Sequence, residues 1–202
     1  MAVALLALCS SVICGQQGHT PAPCDPENKD IPARMQYHGD LKTDPSLQDL
    51  LRETEESGDI YLLVDVDKRR LYVKRGTETL RECVISAGSG RVLTSGTREW
   101  IFQTPRGMFP VLNRERNPIW IRPDWEYVEK GLKPPPEHSP KRIARGELGK
   151  YALDLGYGYK IHGTPHVRQL GRNVTHGCIR VGARDLKYIW DHTDLCTRVF
   201  IQ

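Results

Sequence analysis

Hydrophobic and polar positions follow a helical period in one early stretch of the chain, PSLQDLLRETEESGD. Leu47, Leu50 and Leu51 recur at the spacing of one helix face, and Ser46 stands where an N-cap residue is expected. Gly58 follows as a stop position. The pattern predicts one short amphipathic helix that ends at Gly58.

Beyond Gly58 the pattern changes to short β-rich runs. Residues 60–66 and 71–74 flank a charged turn at 67–70, which predicts a hairpin. Further strands are expected in RECVISAGSG, TPRGMFPVLN, GELGKYALDLGYGYKIHG and CTRVFIQ, and a helix near 183–191 in GARDLKYIWDHTD. No alternating βαβ series is present, so the fold class is mixed and mostly β: a β-sandwich-like set of short strands with a few short helices.

One long stretch lacks a clear period. Residues 117–142, NPIWIRPDWEYVEKGLKPPPEHSPKR, are rich in proline and contain Trp120 and Trp125. A loop of this length inside a compact domain is usually a cover or a binding loop. The alternative is that both tryptophans are packing residues.

The N-terminal segment divides the chain into three parts. Residues 1–15 are apolar and then small, which predicts an export signal too short to span a bilayer, although no Lys or Arg precedes the apolar run. Residues 16–57 form a polar, Pro-rich segment with the short helix, and residues 58–202 form the domain. No later segment is apolar enough for a membrane helix, so we expect a soluble product in the periplasm or cell envelope.

Composition narrows the partners and the use of cysteine. A net charge of +4 over 202 residues lacks the Lys/Arg clustering of nucleic-acid-binding proteins but suits an anionic polymer such as a cell wall. Without residues 1–15, cysteines remain at 24, 83, 178 and 196, with no C-x-x-C pair. If one stays a thiol, only one disulfide can form among the other three, and Cys83 with Cys196 is one possible pair.

Reactive side chains concentrate in two late segments, IHGTPH and THGCIR. His162 and Cys178 are 16 positions apart, enough for a strand, a connection and a second strand to bring them side by side. An imidazole can take the proton of a thiol and later give it to a leaving amine. Gly177 permits a tight turn that leaves amide groups near Cys178 to face an oxyanion.

Residue types alone leave three other interpretations open. Cysteine is often simply buried, and the histidines can hydrogen-bond strand ends without any chemistry. His162, His176 and Cys178 are also suitable ligands for a zinc ion.

The order of several motifs resembles the L,D-transpeptidase family, the YkuD-type catalytic domain. IHGT followed by THGCIR is similar to its active-site segment, TPRGMFPV to its T-P-x-G-x-F strand, and NPIWIRP to its P-x-W segment. The likeness extends over residues 60–202. Residues 163–174 are shorter than usual between the two active-site motifs, which suggests a trimmed loop beside the pocket.

The resemblance implies roles for five site residues. Cys178 matches the nucleophile that attacks the bond before the terminal D-alanine of a stem tetrapeptide. His162 matches the general base, with the carbonyl of Gly163 as a partner for its other ring nitrogen. His176 matches the second histidine of the pocket, and Gly177 with the Cys178 amide would supply oxyanion donors.

The resemblance also implies the partners and leaves alternatives. Arg180 matches a position suited to an anionic group of the stem peptide, where a structural ion pair is the other possibility; Thr175 and Trp120 are further substrate-binding candidates. Donor and acceptor are peptidoglycan stem peptides, and neither a metal nor an organic cofactor is required. The acyl group passes to an amine, forming a cross-link or attaching a protein; the alternatives are a hydrolase of the same bonds and a non-catalytic wall-binding module. Nothing indicates the oligomeric state.

Overall fold

A computed structural model of the chain describes residues 37–202. The predicted signal peptide and residues 16–36 of the Pro-rich segment lie outside the described residues. Helices are α1 (Pro45–Ser57), α2 (Asp124–Val128) and α3 (Ala183–His192). Strands are β1 (Tyr37–His38), β2 (Ile60–Asp65), β3 (Arg70–Arg75), β4 (Glu78–Gly88), β5 (Val92–Ser95), β6 (Arg98–Ile101), β7 (Gly107–Pro110), β8 (Asn113–Arg116), β9 (Ile119–Ile121), β10 (Ile143–Arg145), β11 (Tyr151–Gly156), β12 (Tyr159–His162), β13 (Asn173–Thr175), β14 (Ile179–Val181) and β15 (Arg198–Ile201).

The helix predicted from the leucine spacing is α1. Its N-cap is Asp44, whose carboxylate accepts the amide of Ser46 at 2.9 Å, so the assignment of Ser46 as the cap is wrong. Pro45 at the first turn explains the shift, because a proline lacks the amide that the cap would otherwise have to satisfy. Gly58 closes the helix in the left-handed conformation, with φ 72°, as predicted.

One long strand joins two halves of the main sheet. The eleven-stranded sheet runs in the order β1-β7-β15-β2-β3-β4-β14-β12-β11-β8, with β13 on β4. The first part of β4 pairs with β3, and its last part pairs with β14 at Arg180↔Ser86 and Val181↔Ile85. Because β4 belongs to both halves, the sheet curls around one core, which confirms the mostly-β, sandwich-like prediction. The predicted hairpin is confirmed as β2–β3.

Apolar side chains fill the space inside the curled sheet. Val64, Val73, Ile161 and Ile179 from different strands are fully or almost fully buried there, and α3 adds Leu186, Ile189 and Trp190 from its inner face. On the opposite surface, α1 packs Leu47 against Tyr61 and Phe200. The predicted helix near 183–191 is therefore confirmed, and its apolar spacing reflects burial against the sheet.

The proline-rich stretch contains short regular elements at both ends, and residues 129–139 between them form an irregular loop. Residues 119–145, the cover segment, pair β9 with β10 antiparallel and carry α2 between them. The guanidinium of the buried Arg142 holds it together: it donates to Asp124 at 2.5 Å and to the carbonyls of Pro135 and Arg122 at 2.6 and 2.9 Å. Prolines have no amide hydrogen to donate, so few backbone donors are available to the carbonyls of this segment. The single buried arginine donates to them instead.

Cys83 and Cys196, suggested above as a possible disulfide, are not bonded to each other. Cys83 is a buried free thiol, whereas Cys196 is disulfide-bonded, so a Cys83–Cys196 bridge is wrong. Burial raises the pKa of the Cys83 thiol to about 12, which makes it unreactive near neutral pH. No helix within residues 37–202 has the length and apolarity needed to cross a bilayer.

Candidate active site

Two adjacent parallel strands bring the predicted pair together. β12 and β14 are in register at Ile161↔Ile179 and His162↔Arg180. Ile161 and Ile179 face the core, and side chains alternate along a strand, so His162 and Cys178 share the opposite face. Both line one cavity of about 810 Å³ that lies beneath the cover segment.

His162 is buried and fixed by its neighbour's backbone. Its Nδ1 lies 2.6 Å from the carbonyl oxygen of Gly163, as predicted. A carbonyl can only accept, so Nδ1 carries the proton and Nε2 is left as the basic nitrogen. Burial lowers the pKa of His162 to about 4, against the weaker opposing effect of that hydrogen bond. The imidazole is therefore neutral at physiological pH.

The thiol of Cys178 is also neutral at rest. Burial raises its pKa above the ordinary value, and a backbone hydrogen bond from Lys160 and the charges of Lys160 and Arg180 only partly oppose this. The sulfur lies 3.5 Å from the carbonyl oxygen of Gly158, at the start of β12. Because both groups are uncharged, the site holds a thiol beside an imidazole rather than a preformed ion pair.

The turn before Cys178 is held by two threonines. Gly177 has φ +125°, and a Cβ there would lie 2.8 Å from Cε1 of Tyr159. The buried hydroxyl of Thr104 donates to the Gly177 carbonyl at 2.9 Å, and the hydroxyl of Thr175 donates to the Cys178 carbonyl at 2.6 Å. The Thr175 hydroxyl oxygen also accepts a hydrogen bond from the Gly177 amide at 3.2 Å. We predicted that this amide is free to bind an oxyanion, but in the structure it is already bonded.

His176 faces the cover segment. Its Nε2 lies 2.9 Å from Oε2 of Glu129, its ring stacks on Trp125 at 3.9 Å, and Phe102 contacts its edge at 4.4 Å. Within residues 37–202 no set of three or more His, Cys, Asp or Glu side chains is arranged to hold a metal.

Cationic and aromatic groups complete the cavity wall. Arg180, Thr175 and Trp120, the predicted substrate-binding residues, all line it. Arg180 donates to the amide oxygen of Gln169 at 3.0 Å, and no carboxylate of the described residues lies within ion-pair distance of it. Burial lowers the pKa of this guanidinium, although a guanidinium stays charged at neutral pH.

Sequence reasoning missed a partly buried charge cluster beside the sulfur. Lys160 acts on the Cys178 thiol through its backbone and its charge, and its ammonium pairs with Glu115 and Asp154 at 2.5 Å each. Burial acts to lower the pKa of Lys160, but the two carboxylates outweigh it and raise the value. Side chains alternate along β12, so the sequence could have placed Lys160 on the same face as His162. It could not have revealed the two carboxylate partners, because they come from separate strands.

Comparison with known proteins identifies the family and the fold. Residues 59–201 match YkuD, the L,D-transpeptidase catalytic domain. The probable L,D-transpeptidase ErfK/SrfK of Salmonella typhimurium is 32% identical over 159 residues, covering 75% of this chain and 46% of the relative. The probable L,D-transpeptidase YbiS of Escherichia coli is 27% identical over 156 residues, covering 74% and 46%. The chain thus spans about half the length of these curated relatives.

Solved structures show the same fold at lower identity. The L,D-transpeptidase of Xylanimonas cellulosilytica (residues 123–326) gives a TM-score of 0.54 at 21% identity, covering 72% of this chain and 61% of that one. L,D-transpeptidase 3 of Mycobacterium tuberculosis, solved with a faropenem-derived adduct, gives 0.52 at 21% identity, covering 71% and 60%.

Proposed function

This chain belongs to the YkuD family of L,D-transpeptidase catalytic domains, and we propose that it transfers acyl groups between peptidoglycan stem peptides through a thioester on Cys178. The observation that carries the proposal is the placement of His162 and Cys178 on one face of two paired strands, inside one cavity. The Nδ1 contact with Gly163 supports it, because it leaves Nε2 as the nitrogen able to take a proton.

The first step begins from a neutral pair. As the sulfur of Cys178 attacks the carbonyl carbon before the terminal D-alanine, its proton passes to Nε2 of His162. The C–S bond forms, the C–N bond breaks, and the proton moves from His162 to the amine of the departing D-alanine. A low pKa for His162 suits this second transfer, since the imidazolium is a strong acid toward an amine.

Developing negative charge on the carbonyl oxygen requires a donor. We assign this role to the backbone amide of Cys178, since the Gly177 amide already bonds to Thr175. Thr104 supports the assignment indirectly, because its hydroxyl fixes the Gly177 carbonyl and accepts the Gly88 amide at 2.8 Å. The Gly177 carbonyl and the Cys178 amide belong to the same peptide plane, so the Thr104 bond fixes the plane that carries the assigned donor.

The cavity wall suggests how a stem peptide binds. Arg180 faces the cavity and makes no salt bridge among the described residues, although the Glu147 carboxylate acts on it at longer range; a carboxylate of the donor would suit it. Trp120 and Trp125, 6.0 Å apart, belong to the cover segment, and an apolar roof would exclude water from the thioester. This favours transfer to an amine over hydrolysis. Because stem peptides lie outside the cytoplasm, the proposal includes export to the cell envelope.

Product analysis of a defined muropeptide tests this proposal. The purified chain is incubated with disaccharide-tetrapeptide, and mass spectrometry follows D-alanine release, the acyl-enzyme and cross-linked product. Cys178→Ala should abolish all three, while Cys83→Ala, which removes the buried thiol, should retain them. Full activity in Cys178→Ala would exclude the mechanism. Release of D-alanine without cross-linking, even with added amine, would identify the hydrolase, and no acylation by substrate or by a penem would identify a binding module.

A further inference from the structure

The second histidine of the pocket has a carboxylate partner supplied by the cover segment. Glu129 caps the C-terminal end of α2, one turn after Trp125, and its Oε2 lies 2.9 Å from Nε2 of His176. The other carboxylate oxygen, Oε1, lies 3.4 Å from the guanidinium of Arg91, which precedes β5. The carboxylate therefore joins the cover segment, the β5–β6 hairpin and the turn that carries Cys178.

The imidazole of His176 is restrained on several sides. Trp125 stacks on one ring face with 17° between the planes, and Phe102 approaches at 78°. The side chains of His176 and Glu129 are 22% and 26% exposed, so their hydrogen bond is largely shielded from competing water. Such restraint fixes the orientation of the ring relative to the cavity that it lines.

The pairing also decides which nitrogen of His176 is available. A carboxylate accepts, so Nε2 carries a proton and Nδ1 is the nitrogen left for a reactant. Nδ1 makes no hydrogen bond to any residue in the described part of the chain. His162 differs, since a neutral carbonyl orients it and burial makes it a weak base. His176 is oriented instead by a side-chain carboxylate, as in the carboxylate–histidine pair of an acyl-transfer enzyme.

The two halves of acyl transfer need different bases. The first half moves a proton between a thiol and a departing amine, and the His162 site suits it. The second half starts when the nitrogen of an incoming amine attacks the thioester, and that nitrogen must lose a proton as the C–N bond forms and the C–S bond breaks.

We propose that Glu129 is a positioning residue for this second half-reaction: it holds His176 with Nδ1 toward the cavity, where Nδ1 accepts the proton that the attacking amine loses. The proton then passes to the departing thiolate of Cys178, which restores the thiol. The inference rests on the proposed function, because it presupposes a Cys178 thioester and an amine acceptor.

The test separates the two half-reactions with two substrates. The donor is a disaccharide-tetrapeptide whose side-chain amine is acetylated, and the acceptor is a disaccharide-tripeptide with that amine free. D-Alanine released in the first turnover reports acylation, and cross-linked product at varied acceptor concentration reports transfer. Glu129→Gln is compared with Glu137→Gln, the same change at an exposed position of the cover segment.

We expect Glu129→Gln to leave acylation within about twofold and to lower kcat for transfer about tenfold or more, with KM for the acceptor little changed. His176→Gln should lower transfer at least as far as Glu129→Gln, and the double variant should lose no more transfer than His176→Gln alone, because Glu129 acts through His176. Glu137→Gln should match the unmodified protein.

The inference is overturned by equal loss of acylation and transfer in Glu129→Gln, or by unchanged transfer in that variant. Additive losses in the double variant would also contradict it. Absence of an acyl-enzyme in the unmodified chain would instead overturn the proposed function, and the inference with it.

Discussion

Replacing Gly177 with alanine should disable the site while leaving most of the fold intact. At φ +125° the backbone lies where L side chains rarely go, and a Cβ would meet the Tyr159 ring at 2.8 Å and the backbone oxygen of Gln103 at 3.0 Å. The ring can move, but the backbone oxygen belongs to the segment held by Thr104. The methyl group therefore displaces the turn that presents Cys178.

The expected cost combines strain and crowding. Holding a non-glycine residue in this φ region costs about 1–3 kcal/mol, and forcing a methyl group into a packed site adds about 1–3 kcal/mol. We expect a loss of about 2–6 kcal/mol in the free energy of unfolding, unless the turn relaxes. If it relaxes, a displacement of about 1 Å at the nucleophile lowers acylation about 100-fold.

Urea unfolding and D-alanine release measure the two outcomes together. Gly90→Ala is the matched control, because Gly90 also has positive φ, at +72°, but open space around it. It isolates the backbone cost of about 1–2 kcal/mol and should leave acylation unchanged. The reasoning is refuted if Gly177→Ala is no less stable than Gly90→Ala and acylates at the normal rate.

Three further substitutions test the electrostatics and bonding of the site. Folding lowers the pKa of His162 from about 6.5 to about 4, so the unfolded chain binds a proton that the folded chain does not. The free energy of unfolding should therefore fall by up to about 3 kcal/mol as the pH drops from 6.5 to 4. Urea unfolding at pH 7.5 and 4.5 should show a smaller loss in His162→Asn. Lys160→Met removes a cation that favours the Cys178 thiolate and leaves two carboxylates unpaired, so alkylation of Cys178 at pH 8 should slow at least about threefold. Thr104→Val leaves a buried amide without its acceptor and should lower the free energy of unfolding by about 1–3 kcal/mol.

Exposed positions provide the matched controls for two of these changes. Lys150→Met removes a surface lysine and should not alter the alkylation rate, and Thr77→Val should change the free energy of unfolding by less than about 0.5 kcal/mol. Equal effects in control and test variants would mean that the cited contacts do not act as described.

Local patterns in the sequence were enough for the elements that depend on local contacts. Helix α1, the β2–β3 hairpin and α3 follow from apolar spacing and turn residues, since neighbouring positions determine them. The 16-position spacing of His162 and Cys178 allowed a strand, a connection and a second strand, and β12 and β14 are indeed adjacent parallel strands.

Long-range contacts explain what the sequence did not reveal. The hydrophobic pattern of the cover segment did not predict its structure, because that structure depends on hydrogen bonds from Arg142 to carbonyls 7 and 20 positions earlier. Such contacts leave no periodic pattern in the sequence. Glu129 lies 47 positions before His176, and nothing in its neighbourhood distinguishes it from Glu126. We expected the Gly177 amide to be free because the sequence does not show the conformation of this turn. Only the folded turn brings the Thr175 hydroxyl, two residues away, within hydrogen-bond distance of that amide.

The site of acylation tests the central claim most directly. The full chain is mixed with the amine-blocked tetrapeptide donor and quenched in acid. It is then digested, and the masses of its peptides are measured by mass spectrometry. The account predicts an adduct of the donor minus D-alanine on the peptide containing Cys178, absent from Cys178→Ala and greatly reduced in His162→Asn. An adduct on another residue, or D-alanine release by Cys178→Ala at the normal rate, would contradict it.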